Sequence, residues 1–319
     1  MPETNSNTSE SGTKFSGEMT AANKNMNTSY EQKNDHCKDG ASCDKNGESN
    51  NIGIDTVCTN LEKASISNDD NNDKLFQDPP PKEDCAICML PMPFSNGVCG
   101  VSMTYMPCCG KILCGGCMVA ADEEMDEGNM KHWCPFCRLP LPGSEIEFLK
   151  RIKKRVKKFN DAESIYELGG IYRRGELGLT KNIKRTFELW KQAAELGLCR
   201  AHNDLSLAYL EGMGVEQDNK KATHHLELAA IGGHERARFN LGHMEFSSGN
   251  IDVAMKHYMI AARGGEDKSL KFVGEGYKVG FITKDDYAKT LRSYQNISNE
   301  MKSEQRTKAM QMNMEKYSR

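Results

Sequence analysis

WKQAAELG (Trp190–Gly197), LELAAIGG (Leu226–Gly233) and YMIAARGG (Tyr258–Gly265) are three copies of one phrase. Each holds a bulky residue, an Ala-Ala pair on a helix-forming stretch, and a closing glycine. The copies are 36 and 32 residues apart. A second phrase precedes each one: LGGIY (Leu168–Tyr172), LSLAY (Leu205–Tyr209) and LGHME (Leu241–Glu245), spaced by 37 and 36 residues. The third unit is shorter because its loop is reduced to Ser247-Ser248-Gly249-Asn250, and a degenerate fourth runs from Ser269 through Phe272–Tyr277 to Tyr287–Tyr294. Self-similarity at this period marks a helical repeat array, in which each unit buries its apolar face only against its neighbours. Each unit reads as helix, Gly-containing loop, helix, Gly turn. Small residues (Ala193, Ala194, Ala201, Ala229, Ala230, Ala237, Ala261, Ala262) allow close helix approach. Gly197, Gly233 and Gly265 suit helix C-caps, where φ is positive.

The pattern A…LG…Y..G.GV..D..KA…W…AAE.G resembles the Sel1-like repeat, a relative of the tetratricopeptide repeat, over about 161–295. The second unit, with Tyr209, Gly212, Gly214, Val215, Asp218 and Ala222, fits it best. The resemblance implies an α-helical solenoid that presents a concave surface to other proteins and carries no catalytic chemistry of its own. His202, His224, His225, His234, His243 and His257 lie within it. Without a clustered carboxylate or Cys they do not read as a metal site. On paired helices they are expected at the surface.

Upstream, thirteen cysteines are unevenly spread. Nine fall between Cys85 and Cys137 in the order C-x2-C-x19-C-C-x4-C-x2-C-x16-C-x2-C, with Cys99 inside the long spacer. A CxxC pair offers two thiolates from one tight turn to a tetrahedral ion, with metal–sulfur distances of about 2.3 Å. Three such pairs and an adjacent Cys pair in one short window point to metal rather than disulfides, as does the odd total.

This window, about 83–142, resembles the RING finger family. The resemblance implies two zinc ions in a cross-brace. Cys85, Cys88, Cys114 and Cys117 would hold one; Cys108, Cys109, Cys134 and Cys137 the other. The usual family pattern has a Cys, one residue and a His before the third pair. Here the His is absent and Lys111 stands near its place, so Cys108-Cys109-Gly110 resembles the all-cysteine variant with one residue deleted. Adjacent residues on an extended chain point to opposite sides. Both thiolates can therefore face one ion only if the backbone kinks, for which Gly110 is suited. The alternatives are Cys99 or His132 in place of one of the two. A module this small cannot build a sufficient apolar core, so metal binding supplies much of its folding free energy.

The resemblance also implies a partner. Active RING fingers recruit a ubiquitin-conjugating enzyme through a shallow groove between the zinc loops. Three residues match that surface: Ile87 inside the first CxxC, Pro135 inside the last, and Arg138 directly after it. A basic residue at the last position positions the thioester electrostatically, with no covalent intermediate on the ligase. Trp133 adds an aromatic beside the groove. The expected function is therefore a RING-type ubiquitin ligase with a protein substrate or scaffold on the repeats. The competing reading is a non-catalytic zinc-binding interaction scaffold.

The remainder frames these two parts. Residues 1–82 carry thirteen Asn and few aromatics, with 14 acidic against 8 basic side chains. Ordering them would cost entropy with little area to bury, so a disordered tail is expected, ending in the stiff Asp78-Pro79-Pro80-Pro81. Over 143–160, Ser144 and Glu147 form a capping box, and Ile146, Leu149, Ile152, Val156 and Phe159 form one apolar stripe. Its basic run, Lys150–Lys158, reads as the solvated face of an amphipathic helix or a localisation signal. Without interleaved aromatics it does not read as a nucleic-acid contact. Residues 296–319 are expected as a tail or a helix capping the last repeat. Net charge is −3, no stretch is long and apolar enough to span a membrane, and MPETNSNTSE has no secretory h-region. A cytoplasmic or nuclear protein is expected. The fold class is mainly α: disordered tail, small two-zinc RING-like module, and helical solenoid.

Overall fold

The structure is a computed structural model and describes residues 74–92, 102–126 and 133–317. All lie in one compact unit that runs from Asp39 to Arg319. The expectations for residues 1–73, Cys99 and His132 fall outside the described residues. Eleven helices are seen among the described residues, with one two-stranded antiparallel sheet.

The cysteine-rich module holds that sheet. β1 (Met103–Met106) pairs with β2 (Lys111–Cys114), Met106 opposite Lys111, and α1 (Gly115–Asp126) follows at once. On either side stand two short hairpins closed by single bridges, Asp84 to Pro91 and Trp133 to Pro140. The interior is thin. Met92, Met106 and Leu113 are the buried side chains beside Cys85, Cys114 and Cys134.

α2 (Glu145–Phe159) starts at Ser144, whose Oγ accepts from the Glu147 amide at 3.3 Å. Glu147 Oε2 accepts in turn from Gly143 N at 3.2 Å. Asn160, at φ 48°, ends the helix. The five-residue stripe is only partly used. Leu149 and Ile152 are buried, whereas Ile146 is 77% exposed and Phe159 54%. The packed surface lies along the middle of the helix, so both ends project. Nor is the basic run uniformly solvated. Arg151 is buried, and Arg155 turns inward to pair with Asp161 at 3.0 Å.

The array follows as antiparallel pairs: α3 (Ala162–Arg174) with α4 (Ile183–Glu195), α5 (Cys199–Glu211) with α6 (Asn219–Ile231), α7 (Glu235–Ser247) with α8 (Ile251–Arg263), and α9 (Asp267–Lys278) with α10 (Lys284–Glu300). The fourth, degenerate unit also supplies two helices, but α10 packs on α8 more than on α9. The glycine turns are Schellman caps. Gly197 N donates to Ala194 O and Leu198 N to Ala193 O, with Gly197 at φ 94°. Gly233 and Gly265 repeat this at φ 94° and 97°.

The repeated phrases also explain each other. A Cβ on Gly169 would meet Trp190 at 2.7 Å, and one on Gly242 would meet Tyr258 at 2.7 Å. The bulky residue of the second helix fills the notch left by the glycine of the first. In the middle unit the corresponding residues are Ser206 and Leu226, a larger notch residue against a smaller knob.

Three of the six histidines depart from their expected surface placement, while His224 is exposed as expected. His202, His234 and His257 are all under 5% exposed. Neutral imidazole is compact and half apolar, and two of the three rings make hydrogen bonds inside. His234 Nδ1 accepts from Ala237 N at 3.1 Å and so caps α7. His202 Nδ1 and His225 Nδ1 share a hydrogen bond at 2.9 Å. Burial pushes the His234 and His257 rings down to about 3.

α11 (Glu304–Tyr317) does not cap the last repeat. It packs on α1 of the cysteine module, where Ala309 is buried and Lys308 pairs with Glu123.

Candidate metal centre and its surroundings

The two outer hairpins are built alike. In the first, Cys85 N donates to Leu90 O at 3.0 Å and Met89 N to Cys85 O at 2.9 Å. In the second, Cys134 N donates to Leu139 O at 2.8 Å and Arg138 N to Cys134 O at 2.8 Å. The residue after each second cysteine, Met89 or Arg138, has positive φ (54° and 55°). That reversal turns both thiols of a CxxC to one side. The sequence carries the same echo, C-x-x-C-x-L-P at Cys85–Pro91 and again at Cys134–Pro140. Sequence reasoning passed over it by stopping at the CxxC.

The eight cysteines gather in two groups of four, each with its sulfurs within 4.8 Å of one another. One is Cys85, Cys88, Cys114 and Cys117; the other is Cys108, Cys109, Cys134 and Cys137. Cys108 and Cys109 are not on an extended strand. They sit in the turn between β1 and β2, where Gly110, at φ 73°, donates to Met106 O at 2.8 Å. The turn removes the difficulty that adjacent side chains would diverge.

Sulfur–sulfur separations are 3.8 Å for Cys85 to Cys117, 3.7 Å for Cys88 to Cys114, 3.9 Å for Cys109 to Cys134 and 4.0 Å for Cys108 to Cys109. A tetrahedron with metal–sulfur bonds of about 2.3 Å has edges of about 3.8 Å. The donor set and its spacing fit a thiolate-bound dication twice over. All eight thiols are free.

The electrostatics point the same way. Four sulfurs this close cannot all ionise unaided. In the first group the hydrogen bond from Cys114 holds Cys85 down to about 4, and that contact with burial drives Cys114 up. In the second, hydrogen bonds from Cys108 and Cys109 hold Cys134 down to about 2, while Cys108 is pushed up. Each group thus favours one thiolate among protonated neighbours, and a dication would supply the charge needed for four.

One further residue reaches the first group. Arg306, on α11, is buried at 5% exposure. Its Nη1 donates to Pro91 O and Met301 O, both at 2.8 Å, and its Nη2 to Leu90 O at 3.0 Å and Cys88 Sγ at 3.6 Å. The close fit explains the second glycine of Cys114-Gly-Gly-Cys117, whereas a Cβ on the first would meet the Ser102 side chain. A Cβ on Gly116 would lie 2.6 Å from the Arg306 amide nitrogen. Nothing local in the sequence announces Arg306, since its partners in the cysteine module, Cys88, Leu90 and Pro91, lie more than 200 positions away.

The residues expected to meet a conjugating enzyme lie on the two hairpins. Ile87 is 40% exposed, Arg138 is exposed and Pro135 half-buried. Met89, Trp133 and Phe136 are exposed beside them in the same hairpins.

The module is joined to the start of the array by a partly buried polar knot. Tyr105, on β1, hydrogen-bonds Ser164 at 2.6 Å and donates to Asp161, which also holds Arg155.

Fold and centre together define a helical repeat array carrying a cysteine-rich module. Residues 162–198 and 199–234 match the family model for the Sel1 repeat, so the array contains Sel1 repeats. Over 107 residues the chain is 31% identical to the chitin synthase regulator SKT5 of Saccharomyces cerevisiae, a match covering 32% of this chain and 15% of that protein. The chain thus spans only a small part of that relative. Among solved structures, a Sel1 repeat protein from Oxalobacter formigenes is 22% identical, covering 49% of this chain and 65% of its own, with TM-score 0.42. The protective antigen c5321 of uropathogenic Escherichia coli, described as having an SLR fold, is 28% identical, covering 49% and 33%, with TM-score 0.40. No helix among the described residues is long and apolar enough to cross a membrane.

Proposed function

We propose that the protein is an interaction scaffold: a two-zinc module locked to a helical array that holds other proteins. Zinc is favoured over other dications because an all-cysteine, four-donor, closed tetrahedral set suits its preferences and leaves no open position for a reacting ligand. The observation that carries the reading is the Sel1 match over 162–234, in an array of stacked helix pairs. By analogy with the relative named a chitin synthase regulator, the array would act on a protein rather than a small molecule. Two zinc ions per purified chain, falling to one in Cys108→Ser or Cys109→Ser, is the expected result. A chain without bound zinc would defeat the metal half of the reading.

A second reading, a RING-type ubiquitin ligase, is supported by exposed Ile87 and Arg138 on like-built hairpins, with half-buried Pro135 in the same hairpin as Arg138. On that reading the module positions a charged conjugating enzyme while a substrate sits on the array. An autoubiquitination assay across a panel of conjugating enzymes separates the two. Activity lost in Ile87→Ala and Arg138→Ala supports the ligase; inactivity of the zinc-loaded chain with every enzyme leaves the scaffold.

A further inference from the structure

Residues 74–82, KLFQDPPPK, lie in the stretch expected as a tail, yet they are seated on the array. Leu75 is 8% exposed and completes a cluster with Leu226, Ala230 and Leu241 of α6 and α7. Phe76 packs on the same cluster, 5.0 Å from the His257 ring and beneath Lys256 Nζ at 5.7 Å. The Leu75 carbonyl accepts from Arg238, a residue 2% exposed whose other terminal nitrogen donates to Ala230 O at 2.8 Å. Asp78 pairs with Arg263 at 2.6 Å. After the three prolines, Lys82 pairs with buried Glu235.

The composition of this contact is that of a short linear ligand in a receptor groove. Two adjacent apolar side chains fill one depression. A buried guanidinium reads a main-chain carbonyl. A second arginine at the rim reads an acid two residues after the aromatic. All of it falls within Leu75–Asp78, and the Pro79–Pro81 run holds the following chain extended without demanding backbone partners. None of these features depends on the segment being covalently attached.

We infer that the face formed by α6, α7 and α8 is a groove for extended peptides bearing an aliphatic–aromatic pair with an acidic residue two positions later, and that Leu75–Asp78 is its resident occupant in cis. A partner segment of that chemistry gains the groove by displacing the strap. Tethering makes the strap a strong competitor, because a short linker sets an effective concentration on the order of millimolar.

The test uses the full chain carrying Leu75→Asp and Phe76→Ser, titrated with a labelled peptide of residues 73–83 and read by fluorescence anisotropy. The variant is expected to bind at least about tenfold more tightly than the wild type, whose groove is filled. Peptides with Phe76→Ser or Asp78→Lys bind more weakly, and adding Arg238→Met to the variant weakens binding further. A variant with wild-type helical circular dichroism that binds no better than the wild type overturns the inference, as does indifference to Arg238→Met. Should the double substitution unfold the array, a chain with a protease site inserted after Glu83 serves instead. Cleavage frees the strap and excess labelled peptide enters the groove; no incorporation overturns the inference equally.

Discussion

The cysteine module and the repeat array are both folded interiors, but they are filled by different means. In the array, Tyr258, Phe239, Leu205, Leu189 and Ile165 are fully buried, and Tyr258 and Phe272 stack at 4.9 Å. Among the described residues of the module, the buried cluster holds Met92, Met106 and Leu113 with the sulfurs of Cys85, Cys114 and Cys134. At about 25 cal/mol per Å² of apolar area, so few buried side chains cannot offset the ordering of the described residues of the module. The array is held by burial; the module has to be held by something else.

The largest expected effect tests that difference directly. Structural zinc in small domains contributes roughly 10–16 kcal/mol of apparent binding energy. A strong chelator applied to the full chain should therefore abolish amide-exchange protection across the described parts of 83–142 while α3 to α9 keep theirs. Retained protection in the metal-stripped module would break the comparison, and collapse of the array would show that the two interiors are not independent.

The converse experiment truncates the array. Phe239→Ala should cost about 3–5 kcal/mol, as for other buried aromatics, and lower the thermal midpoint of the helices. Zinc content should stay at the unsubstituted value. Loss of metal on a change so far from the thiols would mean that the module borrows its order from the array.

These two experiments bear on what the sequence made legible. The repeats could be read because burial by helices leaves a recurring pattern: Gly169 against Trp190 and Gly242 against Tyr258 are the same contact in two units, although the loop between the helices is shorter in the second. The eight cysteines could be read because CxxC is a local geometry. What the sequence hid was non-periodic and distant. The strap at Leu75–Asp78 looked like polar tail because two apolar residues among Asn and Asp carry no pattern. Arg306 looked like one charge in a polar helix. The buried histidines were misplaced because a repeat array gives its imidazoles caps and stacking partners that no local rule supplies.

Those histidines give a pH test of the array alone. His234 and His257 sit near 3 in the folded chain against an ordinary 6.5. The unfolded chain therefore binds more protons between those values, and stability falls as pH drops through that window. Array stability should be flat above pH 7 and decline by a few kcal/mol towards pH 4.5, measured by urea unfolding of metal-stripped protein so that thiolate protonation does not intrude. His257→Gln should flatten the decline; an unchanged slope would relocate its cause.

Arg306 sits at the seam, and its expected effect is smaller. Arg306→Gln removes a buried cation serving three carbonyls and one thiol, at about 1.5–3 kcal/mol. Chelator competition should release metal faster from one site of the two. Equal release rates from both sites would confine Arg306 to holding α11.

The smallest effect lies at the other joint. Tyr105→Phe deletes a hydroxyl that bonds Ser164 at 2.6 Å and donates to Asp161. Asp161 still keeps Arg155 at 3.0 Å and Ser164 at 2.7 Å, so no charge is stranded and the loss should be about 0.5–1.5 kcal/mol. Its value lies in where the loss appears. If the joint transmits force, unfolding of the metal-loaded chain should split, with the module and array melting at separate denaturant concentrations where the wild type melts as one. A single transition, shifted but unsplit, would assign the coupling to α11 and Arg306, because that contact would then be enough to bind one interior to the other.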